Sequence, residues 1–261
     1  SRIKSVFRYS ALGAAACFVC YPFVRTDTRF YYQGTPFNKA VLSRSDQYLG
    51  AYMPGFGISG KVRQVVFNVW FAKDKETPIC YERKNLIMSD GGTISVDWAT
   101  ADGNKDVLDE PTLGVSMLAK NSMKKRVVLV FPGLSGGSDR GYVKALVKTL
   151  LSDGFEVAVF HNRGVCNTPY TSLEFADLTR TEEVIRALAF VKEKAGAGAE
   201  LTGIGLSMGA NVMMRAAGMQ GKDFPLKAIC AVNNPFDLWL AINLMRGSQY
   251  EQFLSKELKT Q

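Results

Sequence analysis

The sequence predicts an α/β fold built on a mostly parallel, doubly wound sheet, and three observations carry that expectation. Short apolar runs at 126–131 (RVVLVF), 156–160 (EVAVF), 200–207 (ELTGIGLS) and 226–232 (LKAICAV) have the composition of strands buried on both faces. Amphipathic stretches separate them. Val143, Leu146, Val147 and Leu150 recur at helical spacing with Gly154 past the end as a stop. Thr179 and Glu182 are spaced as a capping box ahead of a helix with Val184, Leu188 and Val191 on one face. Third, strand and helix alternate, and only a parallel sheet with helices on both faces buries such a series.

Upstream of the first run, 81–88 (YERKNLIM) and 93–98 (TISVDW) flank Ser89-Asp90-Gly91-Gly92, a pattern that predicts an antiparallel hairpin with a glycine-supplied turn. Residues 79–261 thus read as the α/β domain. Aromatics, glycines and prolines cluster in 27–78, which predicts an irregular arm wrapped over that part, with one strand or helix at QVVFNVWF (64–71). Residues 1–26 form a third section. Tyr9 to Val24 carries no charge and is flanked by Arg2, Lys4, Arg8 and Arg25. It falls at the short end of the roughly 17–25 apolar residues that a spanning helix needs, and Pro22 ends or kinks it. A membrane anchor through residues 9–24 ranks first and a mitochondrial presequence second, with a signal peptide and a helix packed on the domain as the competing readings. The expected location is membrane-associated, with the mitochondrial inner membrane as the candidate compartment.

Composition narrows the classes. With 261 residues and 47% apolar content the chain suits one α/β domain plus an arm. Half of the net charge of +8 sits in the first 26 residues, so the folded part lacks the basic stripe that nucleic-acid binding requires. The five cysteines are odd in number and irregular in spacing, which reads as reduced thiols. Cys17 and Cys20 stand inside an apolar run without a second pair for zinc, so neither a metal nor a cofactor site is expected.

Ligands of doubly wound sheets bind at the carboxyl ends of the strands. There the sequence places Gly205-Leu206-Ser207-Met208-Gly209, between a buried strand and the helical stretch 210–217. In G-x-S-x-G the glycines permit a strained turn that lifts the serine Oγ above the sheet. After the 126–131 strand comes Pro132-Gly133-Leu134-Ser135-Gly136-Gly137-Ser138, a loop able to turn backbone N–H groups toward an oxyanion. No Gly-Lys-Ser/Thr follows, which argues against a nucleotide.

SDGGTISVDW (89–98), PGLSGGS (132–138), FHNRG (160–164), GLSMG (205–209) and NPFDL (234–238), in that order, resemble the membrane-anchored abhydrolase-domain proteins related to plant embryogenesis-associated protein. These are a branch of the α/β-hydrolases whose members are esterases and acylglycerol or phospholipid lipases. The resemblance implies Ser207 as nucleophile, Leu134 and Met208 as oxyanion donors, and Asn162 and Arg163 at the pocket rim.

The same resemblance exposes a gap. The triad of this fold runs Ser, then acid, then His, on loops after later strands. Past NPFDL the sequence offers one more helical stretch, Leu238 to Leu258, so the sheet is expected to be incomplete on its carboxyl-terminal side. The single histidine, His161, precedes Ser207 by 46 residues and is a weak candidate base; Asp237 is a weak candidate acid against a competing role at a helix N-terminus. A serine without a base is a poor nucleophile. Two expectations follow: a serine ester or lipid hydrolase inactive without an acid and histidine from elsewhere, or a non-catalytic subunit of a membrane complex. In both, the 226–232 strand is covered by a second chain or by neighbouring subunits, since an open apolar edge promotes aggregation.

Overall fold

The computed structural model describes residues 31–45, 78–108, 124–177, 179–248 and a few positions beyond. The apolar segment 9–24 and the 64–71 run lie outside the described residues. The chain divides into two compact units, Ser1–Phe71 and Ala72–Gln261.

In the first unit, part of the stretch read as irregular is a helix, α1 (Pro36–Ser45). Proline opens it, where its missing N–H costs nothing, and the Thr35 hydroxyl accepts from the Asn38 N–H at 3.2 Å as a cap. A cap residue followed by proline was the signal in the sequence.

The second unit is a six-stranded sheet of order β1-β2-β4-β3-β5-β6. The strands are β1 (Glu82–Ile87), β2 (Thr93–Ala99), β3 (Arg126–Phe131), β4 (Glu156–His161), β5 (Glu200–Leu206) and β6 (Ala228–Val232). The expected hairpin is present: β1 pairs antiparallel with β2, and Gly91 takes the positive φ of its turn. β2 runs antiparallel to β4, whereas β4, β3, β5 and β6 are mutually parallel.

Among the described residues four helices of this unit follow the strands: α2 (Gly141–Ser152), α3 (Thr181–Ala195), α4 (Met208–Gln220) and α5 (Leu238–Met245). Alternation along the strands sorts the core onto two faces. Val127, Leu129 and Phe131 of β3 join Ala158 and Phe160 of β4 against Leu188 of α3 and Met213 of α4. Val128, Val130, Val157 and Val159 meet Val143, Val147 and Leu151 of α2 on the other side. Runs such as RVVLVF are apolar throughout because both faces are covered.

Three helix boundaries depart from the sequence reading or refine it. α2 stops as expected: Gly154, at φ 78°, donates to Leu151 O and Phe155 donates to Leu150 O, which together make a Schellman stop. α3 does not use the Thr179–Glu182 capping box. Asp177 captures both the Thr179 N–H and its hydroxyl at 2.7 Å, so the helix begins one residue later, after Arg180. The stretch 238–258 is not one continuous helix. α5 ends at Met245, and a turn through Gly247, at φ 72°, follows.

β6 is the edge of the sheet and its residues are half-buried or exposed. None of α5 is buried, and Phe236, Trp239 and Leu244 are each at least 74% exposed. This apolar face follows, along the chain, the strand whose open edge the sequence flagged.

Candidate active site

Ser207 stands between β5 and α4 at φ 52°, ψ −114°. A non-glycine residue holds such a conformation only where surrounding structure enforces it. The enforcement is visible. A Cβ on Gly209 would lie 2.2 Å from Phe131 O and 2.3 Å from Pro132 O, and one on Gly205 would lie 2.5 Å from Ala210 Cα. With glycine at both places, α4 packs directly on the end of β3, and the serine between them is pushed out and exposed. The Ser207 N–H donates to Val232 O at 2.8 Å, and Ser207 O accepts from the Asn211 N–H. The Asn211 amide in turn donates to Pro235 O at 2.9 Å, which ties the NPFDL segment to the first turn of α4.

The glycine-rich loop after β3 comes up to the serine. A Cβ on Gly133 would lie 3.4 Å from Ser207 Cβ, in ordinary contact, so Leu134 directly follows the point of closest approach. Met208 opens α4, and the first amides of a helix have no intrahelical acceptor. The helix dipole adds a positive field there. Leu134 and Met208 therefore stand on the two segments that meet at Ser207. Tyr142 and Arg140, which no spacing argument singled out, fix the loop: the Gly133 N–H donates to Tyr142 Oη at 3.2 Å and Arg140 donates to Ser135 O at 3.0 Å.

The other candidates stand elsewhere. His161 is fully buried on β4, two strands from β5 or about 10 Å across the sheet. Its Nε2 lies 3.1 Å from Asp97 Oδ2 on β2, although the ring N–H is not directed along that line. Asp97 also receives a bidentate pair from Arg83 at 2.6 and 2.7 Å and the Ser138 hydroxyl at 2.5 Å. Burial opposes the charge of Asp97, but the hydrogen bonds from Arg83 and Ser138, together with the nearby His161, outweigh it and hold its pKa well below the carboxylate range. For His161, burial likewise opposes protonation, and the Asp97 and Cys166 contacts outweigh it and raise the pKa. The only histidine is thus engaged with Asp97, not aimed at Ser207.

Arg163, expected at the pocket rim from the resemblance, is held inside the fold. It is 4% exposed, and its guanidinium bonds Glu183 and Asp90 at 2.5 Å and Ser172 at 2.8 Å. It buckles the β1–β2 turn to α3 and the segment after β4. The Arg163 hydrogen bonds lower the Asp90 pKa to about 2. For the inner partner, burial pushes the Glu183 carboxyl up despite Arg163. Asn162, beside it, is half-buried. Asp237 caps α5 by accepting the Leu240 N–H at 2.8 Å, the competing role weighed for it. A cavity of about 460 Å³ lined by Lys192, Gly196, Leu201 and Pro225 opens at the amino end of β5, the far end of that strand from Ser207. Among the described residues no group of acidic, histidine and cysteine side chains is arranged to hold a metal.

An exposed serine on an enforced turn, a glycine-rich loop packed against it and this strand order are the arrangement of the α/β-hydrolase fold. Residues 126–259 match the model of the α/β-hydrolase fold family, and the chain belongs to that family. It is 30% identical over 159 residues to the embryogenesis-associated protein EMB8 of Picea glauca, a match covering 61% of this chain and 33% of that protein. It is 29% identical over 152 residues to phospholipase ABHD3 of Bos taurus, covering 58% and 34%. The chain spans about a third of the length of these curated relatives. An esterase of Pyrococcus furiosus superposes with a TM-score of 0.50 at 14% identity, over 70% of this chain and 62% of that one, a likeness of fold alone.

Proposed function

We propose that Ser207 is the nucleophile of a serine carboxylic-ester hydrolase acting on acyl esters or lipids, whose general base is a histidine outside the 261 residues of this sequence. The supporting observation is the exposed Ser207 on its enforced turn with Gly133 packed against its Cβ. In the proposed reaction Ser207 Oγ attacks the ester carbonyl, and the Leu134 and Met208 N–H groups receive the developing oxyanion. The base takes the hydroxyl proton and returns it to the leaving alcohol. The phospholipase name of one relative supports a lipid ester over a peptide. The exposed apolar face of α5 and the edge of β6 are where we place the covering partner, further strands or a second chain carrying the acid and the histidine. Attachment to a membrane through residues 9–24 belongs to the same proposal; carbonate washing that releases the full chain from membranes would count against it.

The test is chemical rescue. The chain alone should neither turn over a short p-nitrophenyl ester nor take up a fluorophosphonate probe, and free imidazole in solution should restore both in a Ser207-dependent way. Turnover without imidazole that vanishes in Ser207→Ala would overturn the need for an outside base. A failure of imidazole to restore labelling would favour the second reading, a non-catalytic subunit of a membrane complex. That reading has its own support in the burial of the sole histidine against Asp97.

A further inference from the structure

The buried network around Asp97 contains more than is needed to hold a hairpin. Cys166 lies on the segment after β4, half-buried, at a positive φ of 50° that a non-glycine residue seldom takes. Its Sγ is 3.7 Å from the Ser138 hydroxyl and 3.7 Å from Arg83 Nη2, and its carbonyl accepts from Arg83 Nη1 at 2.5 Å. His161 belongs to the same cluster: its Nε2 lies 3.1 Å from Asp97 Oδ2, the oxygen to which the Ser138 hydroxyl donates at 2.5 Å. That imidazole is fully buried, and neither of its nitrogens has a well-directed acceptor or donor. Asp97, on its other side, is held ionised by Arg83. A thiol, an imidazole without a directed partner and a buried carboxylate thus share one cluster through Ser138 and Arg83, outside the Ser207 elbow and unused by it.

We propose that Cys166 is a reactive thiol, a site for covalent modification by small disulfides and electrophiles, with His161 as its proton acceptor and Asp97 as the group that orients and charges that histidine. The step with a small disulfide balances within the cluster. The Cys166 thiol proton moves to His161, the thiolate Sγ attacks one sulfur of the disulfide, and a new S–S bond forms as the old one breaks. The leaving thiolate takes the proton from the imidazolium, so the products are a mixed disulfide at Cys166 and one free thiol. The charges facing the sulfur agree with this use. Burial opposes the thiolate, but His161 and then Arg83 outweigh it and lower the thiol pKa, with Asp139 acting in the opposing direction.

Modification has a steric consequence. A Cβ on Gly137 would lie 2.4 Å from Cys166 Cβ and 2.9 Å from its Sγ, so the loop carrying Leu134 and Ser138 is packed against the cysteine with no room between them. A group added to Sγ must break the Ser138 and Arg83 contacts and displace that loop.

Competition labelling of the full chain with iodoacetamide, read cysteine by cysteine by peptide mass spectrometry, tests the proposal without any assay of hydrolysis. Cys80 and Cys230 are exposed and serve as internal references. Half-buried Cys166 should label faster than either at pH 7, and its rate should reach its plateau below the ~8.5 of an ordinary thiol. His161→Gln, with folding verified by circular dichroism, should slow it on the order of tenfold. Dithiodipyridine should release pyridinethione at Cys166 first and raise amide exchange across 133–138. Labelling of Cys166 no faster than that of the two exposed cysteines, or a wild-type rate profile still rising at pH 9, would overturn the proposal whatever the variant does. Unchanged exchange in 133–138 after modification would overturn its coupling to the loop.

Discussion

Alanine at Gly209 and alanine at Gly218 are the same chemical change on the same helix, and the packing gives them opposite signs. At Gly209 the added methyl would meet Phe131 O at 2.2 Å, Pro132 O at 2.3 Å and Phe131 C at 2.5 Å. Ordinary contact needs about 3.5 Å, so the overlap is over 1 Å against backbone atoms of a central strand, which cannot rotate away as a side-chain tip would. Overpacking of this kind costs about 3 kcal/mol. At Gly218 nothing lies within 4 Å, the residue is exposed and α4 continues past it, so alanine should gain about 0.5–1 kcal/mol of helix propensity. With a urea slope of about 2 kcal/mol per molar, Gly209→Ala should lower the unfolding midpoint by about 1.5 M and Gly218→Ala should raise it by about 0.4 M. Urea titration followed by tryptophan fluorescence measures both. Equal midpoints for the two variants would refute the claim that α4 sits directly on the end of β3.

Ser207→Gly should raise stability by about 1 kcal/mol by relieving the enforced φ of 52°, while abolishing any imidazole-rescued labelling; thermal melts and probe uptake give the two readings. Arg163→Ala leaves Glu183, 1% exposed, without its charged partner and should cost about 3–5 kcal/mol, most of it regained in an Arg163→Met, Glu183→Leu double variant, as urea unfolding would register. The pKa of Asp97 is depressed in the folded state, so its stabilising contribution is present above the unfolded carboxylate value of about 3.9 and is lost as pH falls through the folded value. Between pH 5 and pH 2 wild type should therefore lose more stability than Asp97→Asn; equal losses would show that Arg83 and Ser138 do not hold the charge.

The strands were legible because burial on both faces writes apolar runs, and β3 matches its run residue for residue. The elbow was legible because its glycines answer contacts no other residue can meet. What escaped the sequence was a local competition and several long-range contacts. Asp177 competes for Thr179 and shifts the start of α3, a local contest that the capping pattern cannot decide. Arg163 was read from its motif as a rim residue, but its role depends on Asp90 and Glu183, 73 and 20 positions away. The Asp97 network draws on β1, β2, β4 and the loop after β3, and no spacing announces such a meeting. Gly247 did announce the end of α5, and an apolar count over 238–258 passes over it.

The hydrogen bond from the Ser207 N–H to Val232 O joins the elbow to the last described strand. A strand paired on one side opens more readily than one paired on both, so the backbone that anchors the serine is only as steady as the edge of the sheet. A partner docked along β6, as proposed above, would brace Ser207 through that same hydrogen bond, so that assembly and the steadiness of the proposed nucleophile would be mechanically one event.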